Sequence, residues 1–308
     1  MTDRGARGGL LAVSGGALLW GTTGVPVAIV HERTGLSALT IGCLRLIVAA
    51  LVIAAVFGRR LVPRVRAAIE RHGWWLVVAG VGLGTYQALY FVGIQYVGVT
   101  VSTLVSLAIA PVLLAAWGSW QRRALPDPVA LLILSAAIAG LVLVTLRPGA
   151  SADGPNPTLG LLASLAAGVA YAASTVVNQR LAGAGDPLLL AGTSSAVGAV
   201  ALVPVALVAG LRWPHDLVSS GWIVYIGVVT TVVAYGLFYQ GLRTVSSESA
   251  GVLTLLEPLA AAVLAALVLQ EQLTALAVVG GVLLLAAIAG LYARPASPEV
   301  TPDGPVMQ

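Results

Sequence analysis

Ten runs of roughly twenty apolar residues follow one another along the chain, at 9–30, 37–57, 74–96, 99–120, 128–146, 159–177, 187–209, 221–242, 247–269 and 273–292. At ~1.5 Å of rise per residue, each is long enough to cross ~30 Å of hydrocarbon as an α-helix. The runs are continuously apolar, which excludes a barrel, whose strands are about ten residues of strict alternation. The longest polar break away from the termini runs from Arg147 to Pro157, with five runs on each side of it. This pattern predicts an all-α membrane protein of ten transmembrane helices, arranged as two inverted five-helix repeats. The units are 1–147 and 158–295, with an external linker at 148–157 and a tail at 296–308. The first run follows Arg4 and Arg7 but is too long for a secretory signal and lacks a small-residue cleavage pattern, so it is read as a retained span.

An odd number of crossings per unit sends the two copies through the membrane in opposite senses, the plan of many secondary transporters. Tyr90-Phe-Val-Gly-Ile in the third run matches Phe238-Tyr-Gln-Gly-Leu in the eighth, and Ala110-Pro111 in the fourth matches Glu257-Pro258 in the ninth. The two registers differ by one residue.

Composition agrees: 58% hydrophobic and 9% charged residues, with mean hydropathy +0.97, fit a polytopic membrane protein and no soluble fold. All 16 positive charges are arginines. With the N-terminus in the cytoplasm, Arg4, Arg7, Arg59, Arg60, Arg64, Arg66, Arg71, Arg122, Arg123, Arg180, Arg243 and Arg294 fall inside. Only Arg33, Arg147 and Arg212 fall outside, so both termini are expected in the cytoplasm. The net charge of +4 is this bias and calls for no nucleic acid.

Cys43 is the only cysteine, so no intramolecular disulfide or cysteine-rich metal site is available. No cofactor and no metal are expected. Gly80-x-Gly82-x-Gly84 lacks the strand and helix start of a nucleotide fingerprint. His31, His72 and His215 read as loop residues, which argues against an intramembrane protease and for a protein that is not an enzyme. Without a Walker sequence, active transport would have to draw on an ion or solute gradient.

The candidate chemistry lies at membrane depth. Glu257 sits inside the ninth run, where a carboxylate is costly unless it meets a partner or water. It reads as a substrate- or proton-binding group, or as a carboxyl hydrogen-bonded to a neighbouring helix. Pro258 removes an amide donor and disturbs the backbone one turn back, near Thr254. Pro111 and Pro258 are thus candidate hinges. Arg45 lies inside the second run, where an arginine either meets an anionic group or snorkels outward. Tyr86, Gln87 and Tyr90 in one copy, and Tyr235, Tyr239 and Gln240 in the other, recur at helical spacing and read as a pocket lining or as packing. Trp20, Tyr171 and Asn178 are weaker additions. Glu271 is expected at the outer rim in a structural role.

Several of these residues carry a family resemblance. Trp20-Gly21, Arg45, Tyr86 through Gly93, Pro111, Tyr235-Gly-Leu-Phe-Tyr-Gln-Gly-Leu242, Glu257-Pro258, Glu271 and Gly280-Gly281 occur in an order that resembles the EamA family of the drug/metabolite transporter superfamily, in its ten-helix form. The likeness spans about residues 9 to 293. It departs where the family often ends the fourth span in a glutamate, because this chain reads Gln121-Arg122-Arg123-Ala124. The resemblance implies a multi-pass carrier of the inner membrane with a small-molecule substrate and protons as a candidate coupling ion. Export of metabolites such as amino acids is the leading expectation. A multidrug efflux carrier and a non-transport membrane protein are the alternatives.

Overall fold

The computed structural model describes residues 3–145, 156–268 and 274–294. Among the described residues, nine helices are long and apolar enough to cross a membrane. One of them, α5 (Trp75–Arg122), has 48 residues, about 72 Å at ~1.5 Å per residue, more than twice the hydrocarbon thickness. It turns at Gly98, whose φ of 80° and ψ of 164° suit glycine alone, and so supplies both the third and the fourth crossing. The remaining spans are α1 (Asp3–Gly21) with α2 (Gly24–Thr34), α3 (Ala38–Phe57), α6 (Pro128–Thr145), α7 (Pro157–Ala184) and α8 (Pro187–Val208). The eighth combines α9 (Leu217–Gly227), a π-helical turn at Val228–Val233 and α10 (Ala234–Gly241). The ninth combines α11 (Ser247–Leu253) and α12 (Leu256–Val268), and the tenth is α13 (Ala275–Ala293). Ten crossings result. The expected linker and the position of Glu271 lie largely outside the described residues.

One element lies off the spans. Helix α4 (Leu61–His72) follows the second crossing and buries none of its residues fully. His72 closes it, and His31 lies in the last turn of α2, so both histidines expected in loops are helix-end residues instead. Apolar periodicity carries each helix slightly past the polar residue that had marked a loop.

The inverted arrangement is visible in matched contacts. Gly80 in the third span packs on Val197 and the Ser194 carbonyl of the seventh; Gly227 in the eighth packs on Val48 and the Arg45 carbonyl of the second. Gly160 abuts Tyr96 and Val97, as Gly9 abuts Thr244 and Val245. At the fifth and tenth spans, a methyl on Gly140 would stand 2.8 Å from the Gly280 carbonyl, and one on Gly280 2.7 Å from that of Gly140. Only hydrogen side chains permit so close a backbone crossing.

N-caps start several of these helices at the membrane faces, where the first amides have no intrahelical partner. Ser37, Asp186, Asp216 and Ser246 accept from the first free amides of α3, α8, α9 and α11. On the side where α1 begins (the N side), Arg64 pairs with Asp186 at 3.2 Å, Arg122 pairs with Glu248, and Arg294 meets Asp127. On the opposite side, Arg33 pairs with Asp216 at 3.3 Å and Arg212 donates to the Thr34 carbonyl at 2.8 Å.

Candidate functional site

Pro258 shapes the ninth span as its chemistry demands. With no N–H at 258, α11 ends at Leu253, two residues turn, and α12 starts at Leu256. The Thr254 carbonyl accepts instead from the Glu257 amide at 3.0 Å, while the Thr254 hydroxyl donates to the Gly251 carbonyl at 2.9 Å. Glu257 is thereby set on a break in the helix, at mid-span, with Tyr86, Tyr90, Tyr171, Tyr235 and Arg45 within electrostatic reach of its carboxylate.

The first span is broken beside it. Pro26 cannot donate to the first turn before it, and α1 stops at Gly21 with two turn residues before α2. Gly21 faces the Glu257 carbonyl and Ala260 so closely that a methyl would stand 2.6 Å from that oxygen. Thr22 bonds to the Tyr225 hydroxyl at 2.9 Å, and the Thr23 hydroxyl is buried without a partner among the described residues. Two helix breaks from opposite halves therefore meet at one level.

Arg45 approaches from α3. Gly42, one turn earlier, leaves the space in which the Gln87 carbonyl oxygen lies, 3.3 Å from where a methyl would be. That oxygen accepts from Arg45 Nη2 at 2.8 Å, while Gln87 Nε2 and Arg45 Nε are buried and without partners among the described residues. Trp20 Nε1 is in the same condition, its ring packed on Tyr235 and Phe238 with centroids 4.8 and 5.1 Å apart. Glu257 and Arg45 feel each other's charge, yet among the described residues no ion pair joins them. The same carboxylate acts electrostatically on Tyr86, Tyr90, Tyr171 and Tyr235. Tyr86 stacks on Tyr90 at 6.0 Å and tilts against Tyr171 at 5.2 Å, and the Tyr90 hydroxyl bonds Thr103 at 2.7 Å.

The structure thus gathers Glu257, Arg45, Gln87, Tyr86, Tyr90, Tyr235 and Trp20 around one space, with Tyr171 beside them. It places three other candidates elsewhere. Tyr239 is 1% exposed, packed on Phe238 and Tyr235. Gln240 is exposed near the end of α10, accepting from Arg243 at 3.4 Å. Asn178 is buried about 10 Å along α7 from Tyr171, toward the N side. Pro111 is buried where Gly251 of α11 packs on it, about 10 Å along the ninth span from Pro258.

The π-helical turn was not foreseen. Thr230 and Thr231 both donate to the Ile226 carbonyl, at 2.8 and 2.9 Å, and hold the wide turn open just where the eighth span crosses Arg45. Such turns recur at functional sites. Val-Val-Thr-Thr-Val-Val contains no glycine or proline to announce it.

Comparison with known proteins agrees with this geometry. The profile of the EamA-like transporter family matches residues 7–146 and again 158–293. The chain belongs to the EamA-like transporter family. Its matches include an uncharacterized transporter, YwfM, of Bacillus subtilis, 27% identical over 91% of this chain and 92% of that protein. An uncharacterized inner membrane transporter, YicL, of Salmonella typhimurium is 26% identical over 92% of this chain and 94% of its own. One solved crystal structure superposes with a TM-score of 0.77 at 20% identity, covering 92% of this chain and 96% of that one, and shares the fold. As an EamA-like transporter, the protein is multi-pass and embedded in the bilayer, with a small-molecule substrate.

Proposed function

We propose that this EamA-like transporter is a secondary carrier of the inner membrane that exports small zwitterionic metabolites, amino acids foremost, by alternating access around Glu257 and Arg45. The observation that carries the reading is the approach of one acid and one base from different halves, within electrostatic reach of each other and with no ion pair between them among the described residues. An α-ammonium group would meet Glu257 and the tyrosine faces, and an α-carboxylate would meet Arg45 and the unpartnered donors of Gln87 and Trp20. Units 1–147 and 158–295 are the rocking bodies, with Pro111 and Pro258 as hinges. The arginine excess on the N side makes that side cytoplasmic, with both termini there. There the Arg122–Glu248 pair and the Gly251–Pro111 contact close the path, and Glu257 lies about 13 Å deeper along the ninth span. Protons are the proposed coupling ion, carried by Glu257.

The test is counterflow of labelled amino acids into proteoliposomes, with and without a pH gradient, for the native chain and Glu257→Gln. Exchange that is driven by the gradient in the native chain and indifferent to it in the variant supports the reading. Undiminished, gradient-driven transport by the variant sinks it. The aromatic walls favour one second reading, a carrier of lipophilic cations, in which exchange of such compounds would survive loss of Arg45.

A further inference from the structure

Helix α4 divides its surface three ways. Leu61, Val65 and Ala68 are half-buried against the bundle; Arg64, Arg66, Glu70 and Arg71 occupy the opposite arc; and between them Val62 and Ile69 are 73% and 53% exposed. Nothing in the described chain covers that apolar edge. The helix joins the second and third spans, so it lies at the level of the lipid headgroups, where such an edge dips into the acyl boundary and the arginines face the surface. Exposed Arg59 and Arg60 precede it, while Arg64 is engaged with Asp186 and with the ring of Phe57. Trp74 and Trp75 follow it, stacked at 4.2 Å, as interfacial anchors do.

Behind the helix is a recess of about 110 Å³, lined by His72, Trp75, Val177, Arg180 and Leu181. It joins the end of α4 to the last turns of α7, a helix of 28 residues whose ~42 Å exceeds the hydrocarbon and carries Arg180 to headgroup level. The mouth is cationic and the wall apolar. Partial burial, then Arg71, lowers the His72 pKa, so at neutral pH its ring is uncharged and offers one N–H beside the Arg180 charge.

We propose that this recess and the basic platform of α4 form a binding site for an anionic phospholipid. Its phosphate is held by Arg180 and His72, its acyl chain lies along Val177 and Leu181, and its neighbours in the leaflet are attracted by Arg59 and Arg60. Through Arg64 and Asp186 the platform is tied to the turn before the seventh span, so lipid at this site steadies a contact between the halves. The charge and the exposed edge favour a bilayer lipid over a soluble anion, because both a phosphate seat and a chain-lining wall are present.

The experiment uses the full chain, purified and placed in nanodiscs of phosphatidylcholine with or without phosphatidylglycerol, or given glycerol 3-phosphate in solution. Melting temperature and lipid retained in native mass spectrometry are read. Phosphatidylglycerol should raise the melting temperature and be retained. Arg180→Gln and the double variant Arg59→Gln/Arg60→Gln should melt like the native chain in phosphatidylcholine, yet bind phosphatidylglycerol about fivefold more weakly for each arginine removed, the equivalent of ~1 kcal/mol apiece. Native affinity for phosphatidylglycerol in both variants overturns the proposal, as does an equal shift from glycerol 3-phosphate at the same concentration. Should Arg180→Gln fail to fold, the double variant, whose side chains lie outside the packed bundle, decides alone.

Discussion

The Glu257 amide donates to the Thr254 carbonyl at 3.0 Å, taking up an acceptor that Pro258 cannot serve from the regular position one turn on. The break is therefore built by one residue. Pro258→Ala restores the missing donor and removes the ring clash, each unfavourable inside a helix. The variant is expected to melt higher than the native chain while its turnover falls severalfold, because the straightened span no longer presents Glu257 to Arg45 and the tyrosines. Thermal melts and proteoliposome exchange on the same preparation check both arms. Faster turnover would contradict the role given to the break.

Gln87 holds Arg45 by a charge-assisted bond of 2.8 Å. Removing the acceptor with Gln87→Leu should cost about 1.5–3 kcal/mol at that contact and raise KM about tenfold or more. Gln87→Glu should do something different: its carboxylate neutralises Arg45 in place, so the protein keeps its melting temperature and loses transport of zwitterions.

The Gly140–Gly280 crossing admits no side chain, since the nearest atoms are backbone and cannot rotate away. Gly140→Ala should destabilise the protein by about 1–3 kcal/mol through forced separation of the fifth and tenth spans. Gly221→Ala is the control: nothing lies within 4 Å of its added methyl. Urea or thermal denaturation in detergent distinguishes them.

Arg122 and Glu248 meet through two bonds of 2.7 and 3.1 Å, partly exposed to solvent. Such a pair contributes no more than ~1 kcal/mol, enough to shift the balance of two conformations about fivefold. Arg122→Glu should open the N side and raise labelling of a cysteine placed below Glu257; adding Glu248→Arg should restore protection. Native Cys43, fully buried, gives little background.

On the opposite side, hydrogen bonding by Ser219, together with the Arg33 guanidinium, holds the Asp216 carboxyl below the usual carboxylate range. A depressed folded pKa gives stability that is fully present above the unfolded value, about 3.9, and is lost as pH falls through the folded one. Melting should therefore show no pH dependence from this group between pH 5 and 8, where its contribution is full and constant, and a loss only below about pH 4. Asp216→Asn should flatten that acid limb.

The crossings were legible because twenty apolar residues in succession leave few alternatives to a spanning helix. Glu257, Arg45 and the helical spacing of Tyr86, Gln87 and Tyr90 were legible because polar groups at that depth stand out. The break at Thr22–Thr23 is signalled only by Pro26, with no charged residue beside it to set it apart from the surrounding apolar run. Helix α4 is hard to see in the sequence because five arginines within thirteen residues mask its 3.6-residue apolar period. Gln240 shares a motif with Tyr235 but stands ~140° around the helix from it, while Tyr239, one turn on and on the same face, is packed in behind the Tyr235 and Phe238 rings. The π-helical turn had no signal in single residues.

It did leave a trace in the spacing of the two copies. Trp75 and Trp222 are 147 residues apart, as are Gly80 and Gly227, upstream of Val228–Val233. Tyr90 and Phe238, beyond it, are 148 apart, and Pro111 and Pro258 are again 147 apart. The second copy takes in one residue at the wide turn and gives it back before the ninth span. A carrier made of two equal halves would have outward- and inward-open forms of equal energy. These halves differ in pitch, and one supplies the acid while the other supplies the base. In the proposed cycle the two forms are therefore unlike at rest: one orientation is the more populated before any gradient is applied, while the gradient alone decides which way net flux runs.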